Sequence, residues 1–335
     1  MKMEKASETR LLGRAQVEQL ISVEDTVEIV EKTFRGLGDG TVINPTKVTL
    51  NLGETAPWPP YKGFMNAMPA YVGWQDSAGL KWVGGFLNNR DIGLPYLTGM
   101  ILLIDPRTGR FRCVCEGAHI TNLRTGAQTA VTLKHLHRSP SIRIGLYGAG
   151  AQGRFQTRAV AACFEIEELK VYDIRREAAE SFAADMADAV KGRIIVAETP
   201  EEAASADAVI TVTQAEEPFL RAGWIAPATV VFPMGSYQEC EDEVLLGADR
   251  IIVDHMGQAL HRGALGALGE KGAVSEDDIW GTVGEIVAGK KKVPDGTAER
   301  TVCCLVGTGA MDVSVATVVL QRAEERGIGE FFRFA

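Results

Sequence analysis

The sequence predicts an α/β fold, a doubly wound parallel sheet accompanied by a separate α+β region. Three observations carry that prediction. The first is Leu146-Tyr147-Gly148-Ala149-Gly150-Ala151-Gln152-Gly153, a G-x-G-x-x-G turn with a largely apolar run before it and a helix-like run after it. The second is Val171-Tyr172-Asp173, where a further apolar run ends on an acid about twenty residues past Gly153. The third is the rhythm that sets in at Ser139. Apolar runs at 142–147, 169–172, 194–196, 208–212, 229–232 and 251–253 are mostly separated by helix-like segments at 154–163, 177–190, 200–204 and 241–246. Strands that alternate with helices build a parallel sheet, and six strands complete a Rossmann dinucleotide fold.

The chain changes character near residue 125. Before it, turn residues punctuate short extended runs at 47–52, 80–86 and 99–104. Pro57-Trp58-Pro59-Pro60 reads as a stiff loop, and Asp105-Pro106-Arg107-Thr108-Gly109 as a tight turn inside a hairpin. Residues 22–34 have helical spacing, with Ser22 as N-cap and Glu24-Asp25 in the first turn. This first region reads as α+β with a mainly antiparallel sheet. After residue 300 a helix-like run, 312–326, is available to pack back on it.

Composition removes several classes of function. Apolar content of 46% and charged content of 24% over 335 residues are those of a globular protein large enough for two cores. A net charge of −9 disfavours nucleic acid and anionic membrane as partners, and Lys290-Lys291-Lys292 is too short to offset it. No apolar run reaches the roughly 20 residues of a membrane span, and residues 1–14 lack a signal-peptide core, so a cytoplasmic location is expected. The six cysteines, Cys113, Cys115, Cys163, Cys240, Cys303 and Cys304, have no zinc spacing and read as buried thiols. The histidines fall in no metal-ligand motif, and no metal is expected.

Each glycine of the turn has its own task. Gly148 permits the bend, Gly150 lets backbone approach a pyrophosphate, and Gly153 lets the helix pack on the strand. The first helical residues, Ala151 and Gln152, then offer free N–H groups to phosphate. Asp173 is placed to accept from the adenosine ribose hydroxyls and to repel a 2′-phosphate, which favours NAD. Arg175 and Arg176 follow directly and keep NADP open should Asp173 turn away.

A second chemical signal lies between Met65 and Arg124. Lys81 sits inside an apolar strand, where an unpaired ammonium is costly, and Arg124 immediately precedes the cofactor region. On composition alone, the bland readings of a snorkelling lysine and a surface-paired arginine weigh equally with functional ones.

With these elements the chain resembles the ornithine cyclodeaminase/mu-crystallin family over nearly its whole length. The resemblance runs through Met68-Pro69-Ala70, Gly79-x-Lys81, Asn88 before Gly93-Leu94-Pro95, and Leu102-Leu103-Ile104-Asp105 with Thr108-Gly109. It continues through Thr121-x-x-Arg124-Thr125, Gly148–Gly153 and Gly307-x-Gly309-Ala310-Met311-Asp312. It implies a substrate and dimerisation domain built from 1–124 and 311–335, a Rossmann domain at 125–310, and a homodimer. It implies that Lys81 and Arg124 hold a substrate α-carboxylate over the nicotinamide. Lys47 stands where the family places a further arginine, and lysine lacks the arginine fork. On the cofactor side the expected residues are Thr125, Gly148, Gly150, Ala151, Gln152, Gly153, Asp173, Arg175, Thr213, Gly235 and Asp312.

One departure bears on activity. Cyclodeaminases carry an aspartate two residues after the glycine that follows the fifth strand. Here that segment is Gly235-Ser236-Tyr237-Gln238-Glu239, with Tyr237 in the aspartate's place; Asp242 comes later beside Glu241 and Glu243, in what reads as a solvated first turn. The expectation is therefore an amino-acid dehydrogenase or imine reductase acting on a small amino, imino or keto acid. Lys81 and Arg124 are its catalytic groups, Lys81 moves the proton, and Tyr237 lines the pocket or relays a proton. Ornithine or lysine cyclodeamination and cofactor-dependent binding of a small ligand are the alternatives. Trp58, Tyr61, Phe64 and Trp82 make either an aromatic pocket or a core.

Overall fold

A computed structural model describes residues 8–53, 61–235, 237–294 and 299–334. The chain forms two compact units, Met1–Arg124 with Thr308–Ala335, and Thr125–Gly307.

The strands of the first unit are β1 (Glu8–Leu12), β2 (Val42–Ile43), β3 (Val48–Asn51), β4 (Gly63–Val72), β5 (Ser77–Phe86), β6 (Leu97–Ile104), β7 (Phe111–Glu116) and β16 (Glu330–Arg333). They form one sheet in the order β16-β1-β7-β6-β5-β4-β2, with β3 also paired to β4. Its ladders are antiparallel except for β1 with β7. The expected hairpin turn joins β6 to β7: Asp105 O accepts from Gly109 N at 2.8 Å, and Gly109 takes φ +72°. Alternation sends Met68, Ala70, Val72, Val83, Ile101 and Leu103 to the buried face.

Helix Gly309–Arg326 packs across β4, β5 and β6 on that face. Its approach is close enough to demand glycine on both sides. A Cβ on Gly79 of β5 would stand 2.5 Å from Leu102 O and 3.2 Å from Val313 Cγ2, and one on Gly309 would stand 2.4 Å from Met68 O. Helix Val23–Asp39 begins at Ser22 as expected, with a reciprocal cap to Asp25 at 3.1 Å in both directions. Arg322 ties the two helices together, donating to both oxygens of Asp25 at 2.5 and 2.7 Å.

Strand β16 had no counterpart in the sequence reading, which stopped at the helix before it. Its four residues are all exposed, so they carry no alternation to read. Trp58 lies outside the described residues. Tyr61 is 58% and Trp82 46% exposed, so neither belongs to a core.

The second unit holds β8 (Ser141–Tyr147), β9 (Glu165–Tyr172), β10 (Arg193–Val196), β11 (Ala208–Thr211), β12 (Val230–Pro233), β13 (Arg250–Val253), β14 (Ile279–Thr282) and β15 (Thr301–Cys304). All pair in parallel, in the order β10-β9-β8-β11-β12-β15-β13-β14. The six expected strands are present. The expectation of six is corrected to eight, because β15 inserts between the fifth and sixth and β14 adds an edge. Thr301–Cys304 is fully buried and Ile279–Thr282 is interrupted by glycine; neither is among the apolar runs read from the sequence. The core of this unit gathers Tyr147, Val209, Val231, Leu245, Val253 and Val302. No described helix is long and apolar enough to cross a membrane.

Candidate active site

The glycine turn leaves β8 as the spacing predicts. Gly148 takes φ +102°, and its N–H donates to Tyr172 O at 2.9 Å. A Cβ on Gly153 would stand 2.4 Å from Gly148 O, whereas around Gly150 no atom would lie within 4 Å of a Cβ. Gly150 therefore faces open space, where backbone is free to meet a ligand. The helix that follows is Ala151–Ala161, three residues earlier than the 154 expected, so Ala151, Gln152 and Gly153 make its first turn. Gly150 caps it with no side chain, leaving its first N–H groups for an anion.

Asp173 follows β9 and is anchored at both oxygens. Oδ2 accepts from Ala149 N at 2.9 Å, and Oδ1 from Arg175 N at 3.0 Å. Each oxygen retains a lone pair for a ribose hydroxyl. Arg175 keeps its guanidinium 3.9 Å from Asp173, while Arg176 is taken up by Glu180 at 3.0 Å and Glu198 at 2.7 Å. The cradle, the open helix end and the fixed acid together fit an adenosine diphosphate moiety with a free 2′-hydroxyl.

Sequence reasoning missed Arg154. Its Nη1 donates to Ala149 O at 2.5 Å and Gly150 O at 3.2 Å, and its Nε to Asp185 Oδ2 at 3.0 Å, so it braces the turn from behind. It missed Glu239 as well. This fully buried carboxylate accepts from Thr211 Oγ1 at 2.6 Å, Thr213 N at 2.7 Å, Thr213 Oγ1 at 2.6 Å and Gly235 N at 2.7 Å. Burial pushes its pKa up against the pull of those four donors. No signal of periodicity marks either residue.

The first unit assembles a charge cluster. Lys81, on the buried face of β5, sets Nζ 2.9 Å from Asp312 Oδ2, and Arg124 sets Nε 3.1 Å from Asp312 Oδ1. Lys81 Nζ also lies 3.4 Å from Thr121 Oγ1, whose hydroxyl donates to Gly117 O at 2.6 Å. Lys81 is 1% exposed and Asp312 fully buried. Desolvation first, then the Arg124 charge, lowers the Lys81 pKa to about 7; Asp312 resists the fall and Lys47 adds to it. Asp312 occupies the first turn of helix Gly309–Arg326, and Asn44 Oδ1 accepts from Ala310 N at 2.9 Å, steadying that turn. Three cations, Lys47, Lys81 and Arg124, thus act on one carboxylate's surroundings. Asp312, expected on the cofactor side, has its two oxygens directed to Lys81 and Arg124.

The remaining expected residues fall in the second unit. Thr125 follows Arg124 on helix Ala118–Leu136, and its carbonyl accepts from Gln156 Nε2 at 3.4 Å. Thr213 and Gly235 leave the carboxyl ends of β11 and β12. Tyr237 is 38% exposed in the loop after β12. Asp242 opens helix Asp242–Leu246 and accepts from Gln238 Nε2 at 2.5 Å, as a first-turn acid does. All six cysteines are free and five are buried. Among the described residues no group of three or more His, Cys, Asp or Glu is placed to hold a metal.

The family model for ornithine cyclodeaminase/mu-crystallin matches residues 7–327. The chain belongs to that family. It is 34% identical over 331 residues to the alanine dehydrogenase of Archaeoglobus fulgidus, a match that covers 98% of this chain and 99% of that protein. Among solved structures, an archaeal alanine dehydrogenase dimer with bound NAD superposes with a TM-score of 0.90 at 34% identity, covering 98% of this chain and all of that one (100%). The Thermococcus litoralis Δ1-pyrroline-2-carboxylate reductase in complex with NADH and L-proline gives 0.89 at 32% identity, covering 96% of this chain and 99% of that chain. The parallel sheet and its antiparallel companion are thus those of family members that handle amino and imino acids.

Proposed function

We propose that this chain is an NAD-dependent oxidoreductase that moves a hydride between nicotinamide and the α-carbon of an amino or imino acid. The observation that carries the reading is the buried cluster of Lys81 and Arg124 on Asp312. A protein stabilised by packing alone gains little from two buried cations on one acid. A protein that must seat a carboxylate gains a cation pair already desolvated and oriented.

When bound, the nicotinamide supplies or takes up the hydride. The chain's own residues do the rest. Arg124 and Lys81 hold the substrate carboxylate, which fixes the α-carbon; orientation of this kind is worth up to about 7–11 kcal/mol of a barrier. Lys81, with its pKa lowered to about 7, is poised to give a proton to the substrate nitrogen or to take one from it. Asp312 keeps both cations in place. Lys47 adds positive charge on the carboxylate side. Gly148, Gly150, Ala151, Gln152 and Gly153 seat the pyrophosphate, and Asp173 selects the unphosphorylated ribose. Because two backbone N–H groups hold Asp173, it is not free to turn aside for NADP. The first unit serves as substrate and dimerisation domain and the second as cofactor domain, in a cytoplasmic homodimer.

Tyr237 in place of an acid favours simple redox over cyclodeamination, since no carboxylate two residues after Gly235 assists attack by a substrate side-chain amine. A spectrophotometric screen tests these readings together. NADH and NADPH are offered with α-keto acids plus ammonia or methylamine, and with cyclic imines, alongside ornithine and lysine. NADH oxidation on keto or imino acids is expected. Conversion of ornithine or lysine without net NADH change would replace this reading with cyclodeamination. Tight NADH binding without turnover of any of them would leave a binding protein.

A further inference from the structure

The carboxyl ends of β11 and β12 are joined by an ion that the reaction does not use. Glu239 is fully buried, and its two oxygens accept four hydrogen bonds. Two come from Thr213, just past β11, and one from Gly235, just past β12. The fourth comes from Thr211, inside β11. Gly235 is packed so closely on this acid that a Cβ there would stand 2.5 Å from Glu239 Cδ.

The location gives the arrangement a use. In an open parallel sheet, ligands bind beyond the carboxyl ends of the strands, where the strand order changes direction. Here β9 and β10 lie on one side of β8, and β11 and β12 on the other. Asp173 and the glycine turn serve the first side, which takes the adenosine half of a dinucleotide. The second half falls over β11 and β12, on the loops that Glu239 fastens.

We propose that Glu239 is a positioning residue for the nicotinamide half of the cofactor, fixing the backbone of Thr213 and Gly235 against which that half rests. The proposal rests on the dinucleotide reading given above. A buried anion suits the task because charge-assisted hydrogen bonds are short and roughly twice as strong as neutral ones. An amide offers one acceptor oxygen and turns an NH2 group toward donors that need an acceptor.

The test compares the binding of NADH and of ADP-ribose, which lacks the nicotinamide, to the full-length protein and to Glu239→Gln. The variant is expected to bind NADH about tenfold or more weakly, the equivalent of one charge-assisted hydrogen bond, with ADP-ribose affinity unchanged. KM for NADH should rise while KM for the amino or imino acid holds. Equal weakening of both ligands would mean a merely structural role, and no weakening of either would mean no role; each overturns the proposal. A wild-type protein that binds neither ligand would instead overturn the cofactor reading, and this proposal with it. Should Glu239→Gln fail to fold, Thr211→Val removes one buried donor to the same carboxylate from a residue inside the strand. It should weaken NADH alone, in the same direction and by less; parallel loss of ADP-ribose, or no loss, would again refute the idea.

Discussion

Asp312→Asn separates charge from shape in the proposed active site. The substitution keeps the volume and one acceptor oxygen but removes the negative charge between Lys81 and Arg124. At the 2.9 Å Lys81–Asp312 distance and an effective dielectric of about 20, the Coulomb attraction has a ceiling of about 6 kcal/mol. Relaxation and the remaining dipole reduce this. Even if less than half survives, about 2.7 kcal/mol corresponds to a further fall of about two pKa units for Lys81. Starting from about 7, the lysine would then lose its proton near pH 5. Arg124 cannot respond in the same way, because guanidinium stays charged. Burying its charge without the Asp312 carboxylate is the part that costs stability, about 3 kcal/mol or more.

The assay is the pH profile of kcat/KM for reduction of whichever imino or keto acid the screen identifies. In the wild type the rate should fall as pH rises through the Lys81 pKa near 7. In Asp312→Asn that limb should move down by about two units, so that at pH 7.5 the rate is about a hundredfold lower while the low-pH plateau is largely kept. A limb that stays at the wild-type position, with loss spread evenly over pH, would refute the assignment of the proton to Lys81. Linkage provides a second check. The folded lysine gives up its proton near 7 and the unfolded one near 10.5, so between those values the unfolded chain binds more protons, and wild-type stability rises with pH across that window.

Two further outcomes follow from single contacts. Asp173→Ser removes the charge that meets a 2′-phosphate, so KM for NADH should rise about tenfold and that for NADPH should fall; steady-state kinetics with both cofactors will read the switch. Asp25→Asn loses the Arg322 fork and weakens the cap on helix Val23–Asp39, and chemical denaturation should show a loss of about 1–2 kcal/mol near neutral pH. The Arg322 bond holds the Asp25 carboxyl well below its ordinary 3.8, so its contribution is present above that value and disappears as pH falls further; the variant's deficit should shrink in acid.

Legibility in the sequence followed the range of the interactions involved. Local patterning gave six of the eight parallel strands, because each of the six is a mostly apolar run. It failed for Ile279–Thr282 and Thr301–Cys304, whose four residues make sense only against the neighbours they pair with. The Ser22 cap and the Asp105–Gly109 turn were readable since their partners lie within five residues. Gly79 was readable only as part of a family pattern; its physical reason, the approach of Val313 on a helix more than two hundred residues away, belongs to the tertiary structure.

The same distinction explains which half of each site was visible. Cations in apolar strands and glycines in tight turns announce themselves, because each is locally costly and must have a cause. The acids that resolve the cost do not. Asp312 meets Arg124 across 188 positions, and Glu239 meets Thr211 across 28. In sequence, Asp312 is marked only by the family pattern and otherwise stands as an ordinary acid in a helix first turn, and Glu239 stands unmarked near Glu241, Asp242 and Glu243. Only folding shows that these two are fully buried while Asp242 stays at a helix end. A buried carboxylate must have its charge matched by donors. The two most completely buried among the described residues are matched by the groups proposed to hold substrate and cofactor. Neither acid needs to touch a ligand to set the geometry of the groups that do, and for that reason the substitutions worth making first are Asp312→Asn and Glu239→Gln rather than the glycines or Lys81.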